Sequence, residues 1–196
     1  MIIIARPKEF ETDIALQKAM ATFWSKGYEG TSVDDLVESM GISRSSLYQS
    51  FGTKQDLFLQ ALNYYMALTD KKRGAVLANA QSALQGMSAF LHGVINFLLD
   101  PHHPCGCFFT NTATALGTLD QPIHNAITRG SKKMETDFYH FFHQCQLRGD
   151  LSAEKDLQAI AIYFVGVVRG ISVLARIDKN QSELESIVKV SLQVLE

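Results

Sequence analysis

Residues Thr31–Leu57, TSVDDLVESMGISRSSLYQSFGTKQDL, carry two short helical patterns folded across a glycine. Thr31 is placed to cap the first helix, Asp34 gives a capping-box-like start, and Val33, Leu36, Val37 and Met40 recur at helical spacing on one apolar face. Gly41 permits a left-handed turn, Ile42 is expected to pack inward, and Ser43 is placed to cap a second helix buried through Leu47 and Phe51. The pattern is that of a helix-turn-helix. With Leu47 and Phe51 buried, Arg44, Ser45, Ser46, Tyr48 and Gln49 remain on a polar face, and a helix of this kind fits the DNA major groove.

Upstream, Leu16, Ala19, Met20, Phe23 and Trp24 predict a bracing helix from about Glu9 to Lys26. Downstream, a long helix is expected from Leu57 toward Ala78, and a strongly apolar one from Ala83 to Leu99 that stops at Asp100-Pro101-His102-His103-Pro104. A short helix over Phe108–Leu119 follows, then one that starts near Pro122 and runs through Phe138, Tyr139, Phe141 and Phe142 toward Gly149. Ser152 is placed to cap the next, whose ten consecutive apolar residues from Ala159 to Val168 predict burial almost all round. Arg169 ends that run well short of the ~20 residues a bilayer requires, so no membrane span is expected. Gly166 and Gly170 would let another helix approach closely, and the last helix carries a stripe at Leu184, Ile187, Val188, Ser191 and Leu195. The pair reads as a self-complementary homodimer interface, the alternative being completion of a monomeric core.

The whole is expected to be all-α: a helix-turn-helix domain over residues 1–54 and a larger effector-binding and dimerisation domain over 55–196. A hydrophobic content of 46% over 196 residues is enough for a real core. Charge argues mildly the other way. The chain carries a net −2, and its first 60 residues hold six basic against eight acidic side chains, so the reading domain is not basic. Helix N-termini, hydroxyls and backbone amides hold phosphates without net charge, which lowers expected non-specific affinity without excluding binding. Arg6, Lys8, Glu9 and Glu11 come too early for a secretory signal core, and three cysteines make no disulfide framework, so a cytoplasmic, reduced protein is expected.

From Ala15 to Leu57 the chain resembles the DNA-binding region of TetR-family transcriptional regulators, the run AMATFWSKGYEG at Ala19–Gly30 leading into the segment above. Beyond it the similarity rests on helix order and on Gly106-Cys107-Phe108-Phe109-Thr110-Asn111-Thr112-Ala113, which is similar to a Gly-Cys-x-x-x-Asn-Thr stretch in one branch of that family. The resemblance implies a dimer on double-stranded DNA, released by a small effector bound in the larger domain, with repression as the family default. It gives Thr31, Tyr48 and Lys54 to phosphates and Arg44, Ser45 and Ser46 to the groove. Gln49 stands where histidine is frequent and Ser45 where glycine or alanine is frequent, so those two contacts depart from the pattern.

Independently of the family, Arg44 is the one cation of the reading helix, and an arginine bidentate to guanine discriminates by roughly 1–3 kcal/mol per base pair. Tyr48 reads either as a phosphate contact or as a core aromatic spaced from Phe51. Lys54, unfavourable at a helix start, is explained by a phosphate partner, and Arg6 and Lys8 are either a minor-groove arm or a frayed terminus.

In the larger domain an apolar or aromatic effector is expected among Phe90, Val94, Phe97, Phe108, Asn111, Phe138, Phe142 and Tyr163, the same aromatics being equally readable as core. Cys105 and Cys107 near a helix start invite a thiol-based redox or electrophile sensor, against the plainer reading of two small residues near a pocket. With His102 and His103 they sit too close together for separated metal-ligand pairs, so no metal or cofactor is expected. His124, His140, His143 and the cysteines are organised by no phosphate loop or nucleophile elbow, so no enzyme is expected. A helical interaction module without DNA binding remains the third alternative.

Overall fold

The computed structural model describes residues 8–115 and 120–196, with side chains from Thr12 onward. Among these residues there are nine α-helices and no strand. Two compact units divide after Tyr65.

The first unit holds α1 (Lys8–Lys26), α2 (Val33–Met40), α3 (Arg44–Phe51) and the beginning of α4 (Lys54–Ala78). Its core is Ala15, Ala19, Phe23, Leu36, Leu47, Phe58 and Leu62, all buried. The division falls inside α4. The reason is aromatic: Phe58 meets Phe23 edge-on at 4.9 Å and Tyr65 meets Trp24 at 5.2 Å, so the first three turns of α4 belong to the small core.

Both α2 and α4 begin with reciprocal capping boxes. Ser32 is the N-cap of α2: its hydroxyl accepts from Asp35 N–H at 3.0 Å, while its own N–H donates to Asp35 Oδ2 at 2.8 Å. Thr53 and Asp56 repeat the arrangement at α4, at 3.2 and 2.9 Å. Thr31, expected to cap α2, lies one residue outside the cap with its side chain turned inward, 1% exposed.

The second unit takes the rest of α4, then α5 (Ala83–Leu99), α6 (Phe108–Thr114), α7 (Gln121–Arg148), α8 (Leu157–Ile177), α9 (Gln181–Leu192) and a closing 3-10 turn, Gln193–Leu195. Helix α8 packs against α5, α7 and α9, and the core runs through Met87, Leu91, Phe138, Phe142, Phe164 and Ile171. Helix α6 stops at Thr114, whose hydroxyl bonds back to the Thr110 and Asn111 carbonyls; the rest of the expected span lies outside the described residues from 116 to 119.

Three expectations for the last helices are corrected. The cap of α8 is Asp156, whose carboxylate accepts from Ala159 N–H at 3.0 Å, whereas Ser152 accepts from Glu154 N–H within the preceding turn. Helix α8 is not buried all round. It has the length and apolar composition to cross a membrane, yet Ile160, Ala161, Phe164, Val168 and Ile171 face the core while Ile162, Tyr163, Val173, Leu174 and Ile177 are exposed. The α9 stripe, conversely, is consumed at home: Leu184, Val188, Ser191 and Leu195 are buried within this chain, because α9 lies on α5 and α8.

Arg73 of α4, 2% exposed, donates to Asp70 at 2.6 Å and to Asp137 of α7 at 2.5 Å, and Lys133 reaches Asp137 at 3.0 Å. Burial pushes the Asp137 carboxyl up, but hydrogen bonds from Arg73 and Lys133 more than offset it and leave it below its usual value. Breaking such a pair strands a charge in the interior, so it fixes α4 against α7 more than it adds stability.

At Asp35 the Lys26 ammonium at 2.5 Å, then the Ser32 backbone and hydroxyl, hold the carboxyl well below the ordinary 3.8. At Asp56 the Thr53 hydroxyl and N–H do the same. A carboxyl depressed in the folded state stabilises it fully above the unfolded value and ceases to as pH falls through the folded one. Thermal melts should therefore be flat above about pH 5 and fall steadily below 3.8. Asp35→Asn should lower the melting temperature at pH 7 and shallow that acid slope, and Ser32→Ala should cost about 0.5–2 kcal/mol in denaturant unfolding.

Candidate nucleic-acid interface

The turn between α2 and α3 is built by Gly41 at φ 72°, which lets its N–H and that of Ile42 return to the Val37 carbonyl at 3.0 and 3.3 Å. Ile42 is half-buried beside it. Ser43 then caps α3 by accepting from Ser46 N–H at 3.1 Å, and its hydroxyl lies 2.9 Å from Ser45 Oγ and 2.8 Å from Ser46 Oγ. Leu47 and Phe51 are buried. Arg44, Ser45, Tyr48 and Gln49 are exposed and Ser46 half-buried, so the predicted polar face is present on one side of α3.

Tyr48 is 48% exposed and is no core aromatic. Lys54, the first residue of α4, places its ammonium 4.4 Å from the centroid of the Tyr28 ring, whose π face compensates a cation at a helix start. Thr31 is the site residue whose placement differs most: its hydroxyl donates to the Gly27 carbonyl at 2.6 Å and stabilises the end of α1 instead of facing outward. Arg6 and the Lys8 side chain lie outside the described residues.

Two partners were not visible from sequence. Gln60 Nε2 of α4 donates to the Phe51 carbonyl at 2.9 Å and pins the far end of α3. Asp34 Oδ1 accepts from Arg44 Nη2 at 3.1 Å. Gln60 carries a polar signal inside an apolar helix pattern, and Asp34 follows from the turn geometry alone.

The profile of bacterial regulatory proteins of the tetR family matches residues 15–61, and that of the tetracyclin repressor-like C-terminal domain matches residues 83–190. The chain belongs to the TetR family. It is 33% identical over 98% of its length to all of the uncharacterized HTH-type transcriptional regulator YezE of Bacillus subtilis, and 30% identical over 96% to 90% of the HTH-type transcriptional repressor ComR of Escherichia coli. Among solved structures, a cysteine mutant of the TetR family regulator CifR complexed with 26bp double-strand operator DNA superposes with a TM-score of 0.87 at 31% identity, covering 98% of this chain and all of that one. The protein is thus a TetR-family transcriptional regulator and not an enzyme.

In the C-terminal unit of this TetR-family chain the residues expected to line an effector site separate. Phe90, Phe138 and Phe142 are buried in one core, with Phe90 and Phe138 edge-on at 5.4 Å and Phe142 reaching Phe164 at 5.6 Å. Val94 and Phe97 flank it half-buried, and the Phe97 ring meets that of His103 at a tilt, centroids 4.5 Å apart. Phe108 is buried outside that cluster, while Asn111 is occupied in donating to the Cys105 carbonyl at 3.1 Å. Tyr163 points away, on the exposed side of α8. Cys105 is exposed, its Sγ donating to the Arg176 carbonyl at 3.8 Å. Cys107 is the half-buried N-cap residue of α6, and Cys145 is buried, its thiol pushed up by burial.

Substitutions on α3 and α4 should separate the two kinds of contact. In anisotropy titrations, Arg44→Ala is expected to reduce operator binding by about 1–3 kcal/mol while sparing random duplex. Lys54→Ala is expected to weaken both equally and to reduce the salt slope by about one.

Proposed function

We propose that this TetR-family regulator is a homodimeric repressor that binds a palindromic operator and leaves it when a small apolar or aromatic effector occupies the C-terminal unit. The observation that carries the reading is the exposed polar face of α3, held by a capped and buried reverse face, in a chain 31% identical to a regulator complexed with operator DNA. Arg44, Ser45 and Gln49 would enter the groove, and Ser43, Ser46, Tyr48 and Lys54 would hold phosphates or position the helix. A regulator that reads chromosomal DNA in this way works in the cytoplasm.

The exposed side of α8 supports the dimer. Ile162, Tyr163, Gly166, Gly170, Val173, Leu174 and Ile177 make an apolar stripe along it, and a Cβ on Gly166 or Gly170 would meet nothing within 4 Å in this chain. An apolar stripe of this length calls for a partner, and two glycines four apart let a second helix approach. The α9 stripe faces inward, so the dimer face would rest on α8 with the outer side of α9, where Val190 is exposed.

The test is selection of bound duplexes from the source genome, followed by footprinting. Two half-sites about one helical turn apart, ~34–36 Å, are expected, and a single isolated half-site would overturn the dimeric reading. Gly166→Arg has room within the subunit and should fold, yet run as a monomer on size exclusion and lose operator binding.

The exposure of Cys105, two positions from Cys107, favours a second signal in which oxidants or electrophiles act on these thiols. If it operates, the Cys105→Ser/Cys107→Ser variant should stay on DNA under peroxide that releases the wild type. Equal release of both would end that reading.

A further inference from the structure

Asp34 is the second residue of α2 and Arg44 the first of α3, and the bond of 3.1 Å from Arg44 Nη2 to Asp34 Oδ1 ties the two helix starts together across the turn. The Asp34 side chain is 85% exposed and that of Arg44 59%, so water screens the pair and folding gains little from it. Nor does α2 require Asp34 for its cap, which Ser32 and Asp35 complete without it. What the pair does is occupy the one cation of the reading helix.

An arginine fork takes guanine O6 and N7 at one sequence and phosphate oxygens at any sequence. A carboxylate beside it separates these two uses. It carries acceptors and negative charge, so it is repelled by the backbone and by the acceptor edges of guanine and thymine. Its partners among base edges are the amino groups of cytosine and adenine. With Asp34 in place, Arg44 leaves its carboxylate most favourably for two aligned acceptors on a guanine whose neighbourhood offers that carboxylate an amino group. A phosphate offers the arginine a partner and the aspartate only repulsion.

We infer that Asp34 is a specificity-determining residue of the DNA interface, acting through Arg44: it weakens binding to arbitrary sequence more than binding to the operator and sharpens base choice where Arg44 reads. The inference rests on the DNA-reading role of α3 proposed above. It also gives the acidic balance of the first 60 residues a use, since acidic side chains beside the reading helix suppress unspecific contacts with the polyanionic backbone.

The test compares wild type, Asp34→Asn, Arg44→Ala and the double variant. Each is checked by circular dichroism melts and size exclusion, then carried through selection from a random duplex pool and anisotropy titrations on the selected operator and on random duplex at several salt concentrations. Asp34→Asn keeps the size of the side chain and removes its charge. It is expected to bind random duplex more tightly with a salt slope steeper by up to about 0.9, and to lower the operator-to-random ratio about fivefold. Its selected motif should relax at the positions that Arg44→Ala relaxes, and in the Arg44→Ala background the same change should leave the ratio unmoved. An unchanged ratio with an unchanged motif, or an equal effect in the absence of Arg44, would overturn the inference while the reading role of α3 stood. Absence of any wild-type binding at low salt would overturn both, and is distinguished by appearing before any variant is compared.

Discussion

A helix of two turns does not hold itself together in water, because nucleation costs more than so few hydrogen bonds return. Everything this protein presents to DNA depends on that constraint being overcome at α3 without using its outward face. The eight residues Arg44–Phe51 are held by two buried side chains, Leu47 and Phe51, by the Ser43 cap at one end, and at the other by Gly52 N–H on the Tyr48 carbonyl and Gln60 on the Phe51 carbonyl. Each support lies on the inner side or at a terminus. The outer side is therefore free to be polar, and its side chains are carried on a backbone that does not move with them.

The same economy explains how a unit without basic excess serves a polyanion. Two of its cations, at the starts of α3 and α4, are not left loose: the Arg44 guanidinium rests on Asp34 and the Lys54 ammonium on the Tyr28 ring. Under the proposed roles Arg44 first has to leave Asp34 for a base, whereas Lys54 is already oriented when DNA arrives, so less of its side-chain freedom would be lost on contact. Tyr28 is itself fixed by Phe58, at 5.1 Å, which links the position of that cation to the core shared by α1 and α4.

Much of this was legible in the chain. The helical periods of α1, α5 and α7, the left-handed Gly41, the Ser43 cap and the polar residue set of α3 follow from local rules of spacing and capping. What failed was choice between neighbours with the same chemistry. Thr31 and Ser32 are both good caps, and Ser32 wins because its box closes on Asp35, which Lys26 of α1 also holds, a tertiary partner that no local pattern contains. Ser152 likewise yielded to Asp156, whose carboxylate takes the Ala159 N–H. The ten apolar residues of α8 gave the opposite error: an unbroken apolar run has no period, so it could not say that one side meets the core and the other meets solvent in a single subunit. Tyr163, grouped by sequence with the aromatics of the core, has its side chain on the uncovered side for that reason.

That uncovered side bears on how much a single reading helix can achieve. A helix of eight residues is about 12 Å long and meets only about 3–4 base pairs, of which one arginine reads one. Such a head by itself discriminates by one or two orders of magnitude, far less than a genome's competing sites demand. A second copy, brought into register by a symmetric contact, multiplies that discrimination instead of adding to it, because both half-sites must be satisfied at once. An apolar stripe interrupted by Gly166 and Gly170 suits such a contact, since it would bury area without polar groups to satisfy and its glycines admit close approach along one line. An effector that repacked the aromatic core around Phe138 and Phe142 would press on α8 through Phe164, from the side opposite its exposed apolar stripe.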